Sequence, residues 1–246
     1  MDTGFTVELM APEIETSTIT VGPLSAYLAR PAGGSESGML LLPMITGIGE
    51  QVREYAQQLA ERGVTALTWD VWHGPSSDDT STERLQELLA ELDDETALAE
   101  QTRLLDHLLG ELGCQKAGVI GWCLGGRFAL ILAGRDERLV NAVAYHPTVP
   151  GQTPPNHTVD AIAHCARIKA PVMMLYPGAD SLVPPERFTQ LQSALQGRES
   201  GASIIHHYPG AEHGFSNRTR HGKEVNVNAY RVSWPQVLDF VSVTTA

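Results

Sequence analysis

The sequence is short of cysteine, of basic residues and of long apolar runs. Its three cysteines, Cys114, Cys123 and Cys165, are widely spaced and form no CxxC pair, which argues against a disulfide framework and a structural zinc site. Lysine and arginine number 17 against 29 acidic residues, so the net charge is −12 and no basic stripe could follow a phosphate backbone. No apolar run approaches the roughly 20 residues of a membrane span. We therefore expect binding neither to nucleic acid nor to a membrane.

The rest of the composition is that of an ordinary globular protein. With 246 residues, 42% of them hydrophobic, the chain is long enough for one well-buried α/β domain, and we expect a single domain over residues 1–246. The N-terminal stretch MDTGFTVELMAPEIE has acidic residues but neither the basic nor the apolar segment of a signal peptide. A cytoplasmic location is the expectation that follows.

Strand and helix patterns alternate along most of the chain. Polar and apolar residues alternate over 16–27 around Gly22-Pro23, which predicts a β-hairpin in an N-terminal region, residues 1–30, that leads into a parallel sheet. Further strands are predicted at 38–43, 64–69, 116–121, 140–145, 171–176 and 203–208, and helices at 50–62, 82–112 with an interruption, 127–133, 185–195 and 226–241. This alternation predicts a mostly parallel, doubly wound α/β sheet with helices on both faces. Ligands of such sheets bind beyond the carboxyl ends of the strands.

The sequence GWCLGG at residues 121–126 lies between a predicted strand and a predicted helix. Strand, sharp turn and helix are the context of a nucleophile elbow, here with cysteine in place of the usual serine. Unpaired NH groups at the start of the helix would favour a Cys123 thiolate and accept a developing oxyanion. The alternative is a glycine-rich turn of a Rossmann-like unit with an inert cysteine. Against that alternative, no second glycine fingerprint and no phosphate-loop lysine occurs nearby.

A cysteine nucleophile needs an imidazole to move the proton and a third group to orient the imidazole. Asp180, in PGAD, and His213, in AEHGF, each follow a predicted strand and come after Cys123 in that order. Glycines near His213 allow the exposed loop that often carries a catalytic histidine. Asp180 could instead form a turn or cap a helix. His206 and His207 are competing imidazoles, but they lie inside a strand pattern.

The motifs GWCLGG, PGAD and AEHGF, in this order and spacing, resemble the dienelactone hydrolase family of the α/β-hydrolase superfamily, from about residue 40 to 240. The resemblance implies an α/β-hydrolase fold and carboxymethylenebutenolidase-like hydrolysis of a small ester or lactone, without metal or organic cofactor. It implies Cys123 as nucleophile, His213 as general base and Asp180 as orienting acid, with a thioester acyl-enzyme. The backbone NH groups of Leu124 and Ile45 would form the oxyanion hole.

The resemblance also suggests where substrate binds. The family's archetypal lactonase has a glutamate after its first parallel strand that interacts with the resting cysteine, and Met44 stands at the matching position here, where it can neither accept a proton nor pair with the thiol. Family lactonases hold a substrate carboxylate with arginines, one of them aligned with Asn217. Arg218, Arg220 and Arg84 are candidates for that contact, with solvated surface charges as the alternative.

Aromatic and histidine side chains near predicted strand ends complete the set of candidates. Trp72 and Trp122 could line an aromatic pocket, although aromatic residues at such spacing also form cores. His73 and His146 follow strand ends and could line the same pocket. The loop over residues 147–157, rich in proline and glycine, is expected near the site.

A small-molecule ester or lactone is the expected partner, bound by a monomer or weak homodimer. Two other functions stay open. A general carboxylesterase or thioesterase for neutral acyl groups is favoured by Met44 in place of a glutamate. A non-catalytic member of the fold could use Cys123 as a ligand-binding or redox-sensing contact.

Overall fold

An eight-stranded sheet forms the centre of the computed structural model, which describes residues 12–246. The strands are β1 (Ile14–Val21), β2 (Leu24–Pro31), β3 (Ser37–Leu42), β4 (Thr65–Trp69), β5 (Lys116–Trp122), β6 (Leu139–Tyr145), β7 (Val172–Pro177) and β8 (Ser203–Tyr208). The helices are α1 (Glu50–Glu61), α2 (Thr82–Glu91), α3 (Asp94–Leu109), α4 (Leu124–Arg135), α5 (Ala161–Cys165), α6 (Pro185–Gln196) and α7 (Glu224–Thr245), with a 3₁₀ turn at Arg218–Arg220.

The strands lie side by side in the order β1-β2-β4-β3-β5-β6-β7-β8. Strand β2 is antiparallel to both of its neighbours, and all other neighbouring pairs are parallel. The tight turn between β1 and β2 is at Gly22-Pro23, where Gly22 has a φ of +60°. The predicted mostly parallel α/β sheet is confirmed.

Helices cover both faces of the sheet, which explains the uninterrupted apolar sequences of its central strands. In β3, Leu40 and Leu42 belong to the core that α3 and α4 complete, whereas Met39 and Leu41 belong to the core that α1 and α7 complete. Successive residues of a strand point to opposite faces, so one short run of leucines contributes to two cores. Because β3, β5, β6, β7 and β8 are parallel, their carboxyl ends meet at one edge of the sheet.

Three helical segments differ in detail from the predicted pattern. The predicted helix 82–112 is interrupted, as expected, where Asp93 accepts a hydrogen bond from the NH of Thr96 and begins α3. Helix α5 was not predicted, because five residues are too few for a periodic signal. Helix α7 extends beyond the predicted 226–241 at both ends, and Val241 and Thr245 are buried near its end. Burial there outweighs the low helix propensity of the VSVTT sequence.

Residues 1–11 lie outside the described part of the chain, and the expected absence of a signal peptide concerns mostly these residues. Over residues 12–246, none of the helices has both the length and the apolar character needed to cross a membrane.

Candidate active site

Cys123 lies in a strained turn between β5 and α4. Its φ of +53° and ψ of −112° are values that residues with a side chain rarely adopt. A Cβ atom on Gly121 would overlap the backbone of Gly125, and one on Gly125 would overlap the carbonyl of Leu42 in β3. Glycine is thus required on both sides of Cys123 because the turn touches the backbone of a neighbouring strand.

The structure brings Cys123, His213 and Asp180 into one hydrogen-bonded chain. The Nδ1 atom of His213 lies 2.8 Å from Oδ2 of Asp180, and its Nε2 atom lies 3.1 Å from Sγ of Cys123. Asp180 follows β7 and His213 follows β8, so both reach the sheet edge at which the elbow lies. The fully buried Asp180 side chain also accepts hydrogen bonds from the NH groups of Leu182 and Val183. These bonds fix the carboxylate that orients the imidazole.

The Cys123 thiol and the His213 imidazole together favour an ion pair. Burial opposes ionisation of the thiol, but the charge of His213 and hydrogen bonds from His213, Thr148 and the Leu124 NH lower the pKa of Cys123 overall. Burial also opposes protonation of the imidazole, yet the Cys123 thiolate and the Asp180 carboxylate raise the pKa of His213 to about 10. Both pKa shifts favour the thiolate–imidazolium form of the pair over the neutral form.

The two predicted oxyanion-hole donors, the NH groups of Leu124 and Ile45, lie in the turns that follow β5 and β3. That of Leu124 is in the first turn of α4, where helix geometry leaves NH groups unpaired. That of Ile45 follows β3, and within residues 12–246 it has no hydrogen-bond acceptor. The Ile45 carbonyl accepts a hydrogen bond of 2.7 Å from the indole of Trp72, and the Gly47 NH donates to the Met44 carbonyl at 3.0 Å. These bonds hold the turn that carries the Ile45 NH.

The similarity to a known family extends beyond the three motifs to most of the chain. A model of the dienelactone hydrolase family matches residues 24–244. The chain belongs to the dienelactone hydrolase family. A carboxymethylenebutenolidase of Rhodococcus opacus is 30% identical over 219 residues, which cover 84% of this chain and 81% of the relative. A Salmonella typhi protein assigned as a carboxymethylenebutenolidase is 30% identical over 213 residues, which cover 81% and 76%.

The fold matches as well. A crystal structure of a Klebsiella pneumoniae protein assigned as a dienelactone hydrolase superposes with a TM-score of 0.82 at 22% identity, covering 94% of this chain and 99% of the other. With this family membership, the chain is a hydrolase that acts on ester bonds.

Three of the predicted substrate contacts in this dienelactone hydrolase family member are core residues. Trp122 is fully buried and stacks on Tyr55 at 4.8 Å between ring centroids. The prediction that Trp122 contacts substrate is wrong, because strand alternation turns its side chain into the core that α1 and α7 complete. Met44 is 5% exposed and belongs to the same core, and Trp72, 6% exposed, holds the turn at Ile45.

The candidate arginines lie on the surface and are paired there. The Arg84 guanidinium, in α2, donates to Glu87 at 2.8 Å, and that of Arg218 is paired with Glu54 in α1. Neither makes a hydrogen bond or ion pair with Cys123, His213 or Asp180. In the structure, Arg84 and Arg218 are thus exposed surface charges, as the alternative interpretation held.

Sequence reasoning missed Thr148, which touches both ends of the Cys123–His213 pair. Its Oγ1 atom lies 3.1 Å from Sγ of Cys123 and 3.4 Å from Nε2 of His213. A signal for it existed in the chain, since Thr148 belongs to the 147–157 loop expected near the site and follows β6, the neighbour of β5.

His146 precedes that loop and is a neighbour of the proposed base. Its buried ring packs edge-on against His213 at 5.1 Å between centroids, and its Nε2 atom lies 2.8 Å from the Ser216 hydroxyl. Burial first, and then the charge of His213, lower the pKa of His146 well below its usual value. His146 therefore remains neutral beside the imidazolium.

Proposed function

We propose that this dienelactone hydrolase family member cleaves a small ester or lactone with Cys123 as nucleophile, His213 as general base and acid, and Asp180 as orienting acid. The observation that carries the proposal is the hydrogen-bonded chain from Asp180 through His213 to Cys123, with distances of 2.8 and 3.1 Å. A non-catalytic binding or redox-sensing role would require none of this alignment. The proposed reaction uses no metal and no organic cofactor.

Acylation begins from the ion pair. The Cys123 thiolate attacks the acyl carbon, and the carbonyl electrons move to the oxygen, which the NH groups of Leu124 and Ile45 would hold. The tetrahedral intermediate collapses when the bond to the leaving oxygen breaks and His213 gives its Nε2 proton to that oxygen. The products of this half are a thioester on Cys123, a neutral His213 and an alcohol. When the substrate is a lactone, the alcohol stays attached to the acyl group.

Deacylation restores the ion pair. Neutral His213 takes a proton from a water molecule as the water oxygen attacks the thioester carbon. The same two NH groups would hold the second oxyanion. Its collapse breaks the carbon–sulfur bond and releases the carboxylic acid, and the sulfur leaves as a thiolate beside the imidazolium. Because the surroundings of Cys123 lower its pKa, its thiolate is a better leaving group than the thiolate of an unperturbed cysteine.

A carboxylesterase or thioesterase acting on neutral acyl groups is the second candidate. It is favoured by the arginines, because Arg84 and Arg218 are each paired with a glutamate and so are less available to a substrate carboxylate. The net charge of −12 gives an anionic substrate no long-range attraction. The Rhodococcus opacus relative, by its name, points instead to a butenolide bearing a carboxymethylene group.

Initial rates on dienelactone and on p-nitrophenyl acetate test the proposal and separate the two candidates. We expect Cys123→Ala to lower kcat on the accepted substrate by about 10³-fold or more, as losses of a nucleophile do in other hydrolases. Turnover of dienelactone by the native enzyme indicates the lactonase, and turnover of only the neutral ester indicates the carboxylesterase.

Cys165→Ala is the matched control, because it removes the same atom from a buried cysteine that makes no contact with the triad. It should keep the rate of the native protein. Equal rates for the native protein and Cys123→Ala would refute the triad. A cytoplasmic location and a monomeric or weakly dimeric state stay predictions.

A further inference from the structure

Thr148 is the one side chain besides His213 that is hydrogen-bonded to the Cys123 sulfur within residues 12–246. Its hydroxyl is 3.1 Å from Sγ of Cys123 and 3.4 Å from Nε2 of His213. Both of these atoms change their bonding or protonation in the proposed reaction. Thr148 is therefore placed to influence the reaction directly.

The direction of the hydrogen bond follows from counting protons. In the ion pair, both ring nitrogens of His213 carry a hydrogen, one directed to Asp180 and one to the sulfur. Nε2 can then accept nothing from Thr148, and the thiolate can donate nothing. The single hydroxyl proton of Thr148 has Sγ as its remaining acceptor within the described residues. The Thr148 hydroxyl thus donates to the thiolate.

Backbone hydrogen bonds fix the position of Thr148 relative to Cys123. The NH of Thr148 donates to the Cys123 carbonyl at 3.0 Å, and the NH of Cys123 donates to the Tyr145 carbonyl at 3.0 Å. These two bonds join the elbow to the segment after β6. The geometry points to Thr148 as a further catalytic residue, whose hydroxyl keeps Cys123 in the reactive thiolate form before attack and on release of the product; this inference rests on the proposed function.

A neutral donor is suited to this position. The proton of a hydroxyl does not titrate near neutral pH, so the stabilisation of the thiolate is the same across the working range. Met44, at the position of the family glutamate, offers the sulfur no such bond. The hydroxyl is therefore the side-chain donor that supplements His213.

Thr148→Val tests the inference, because valine keeps the shape of threonine and removes only the hydroxyl. The rate of alkylation by iodoacetamide, measured from pH 5 to 10, reports the apparent pKa of the Cys123 thiol without any need for turnover. We expect Thr148→Val to raise that pKa by about one unit, and so to lower the alkylation rate on the acid side about 10-fold, with the alkaline plateau unchanged. Thr148→Ser should restore the native profile.

Two further samples make the result decisive. Cys123→Ala supplies the background alkylation of the other thiols, and Thr148→Ala replaces Thr148→Val if the valine variant does not fold. Native pH profiles in the variants that lack the hydroxyl would overturn the inference. The proposed function fails by a different observation, namely ester turnover that persists in Cys123→Ala, so the two failures are distinguishable.

Discussion

The Cys123 thiolate and, after it, the Asp180 carboxylate together favour the proton on His213. Asp180→Asn keeps an oxygen able to accept from the NH groups of Leu182 and Val183, so the loop should persist. Without the negative charge, the pKa of His213 must fall from about 10 and the imidazolium is lost at a lower pH. We expect kcat to fall about 10²- to 10⁴-fold and the alkaline limb of the pH–rate profile to move to lower pH.

Values of kcat measured over a range of pH for the native enzyme and Asp180→Asn report both the fall in kcat and the shift of the alkaline limb. An alkaline limb at the same pH in both proteins would show that Asp180 does not control the His213 proton.

At the scale of elements, a buried ion pair ties the elbow helix to its surroundings. Arg127 of α4 donates to both carboxylate oxygens of Asp94 in α3, and the two residues also bond the backbone of Val159. Removing one partner leaves the other charge buried and unpaired, so Arg127→Met should lower the free energy of unfolding by about 3–5 kcal/mol. Urea unfolding at neutral pH measures this change.

A double replacement distinguishes the pair from its packing. Arg127→Met with Asp94→Leu removes both charges, and its loss of stability should be smaller than the sum of the single losses. The pair at Arg135 and Glu95 is the exposed control, where Glu95→Gln should change the free energy of unfolding little. Additive losses for Arg127 and Asp94 would contradict the account of one coupled unit.

The order of strands and helices was predictable from the sequence wherever burial leaves a periodic or uninterrupted apolar pattern. The run at β3 and the elbow at residues 121–126 are such cases. The direction of a single side chain at a strand end is not encoded in that pattern, which is why Trp122 was misplaced. Thr148 was missed because a small hydroxyl residue in a loop acquires its role only from contacts between segments distant in the chain.

At the scale of the whole molecule, we expect histidines whose pKa is lowered by burial to contribute to the loss of stability in acid. Burial lowers the pKa of His146 well below its usual value and that of His157 to about 4. Below about pH 6.5 the unfolded chain binds protons at these histidines and the native protein does not, so stability is lost as the pH falls through this range.

Unfolding midpoints in urea at intervals from pH 7.5 to 5 check this expectation. The midpoint should decline below about pH 6.5, and His157→Gln should make the decline shallower, since it removes one of the sites that only the unfolded chain protonates. A decline of the same steepness in His157→Gln would exclude that histidine as a source.

The resting thiolate also determines how the enzyme ages. Peroxide oxidises thiolates rather than thiols, and burial raises the pKa of Cys114 and brings that of Cys165 to about 12, so both stay protonated at neutral pH. Cys123, with its lowered pKa, is the sulfur that peroxide reaches first. In the proposed mechanism, one sulfenic acid at the elbow would abolish attack on the ester without unfolding the sheet around it. We therefore expect peroxide to inactivate this hydrolase at levels that leave its fold intact.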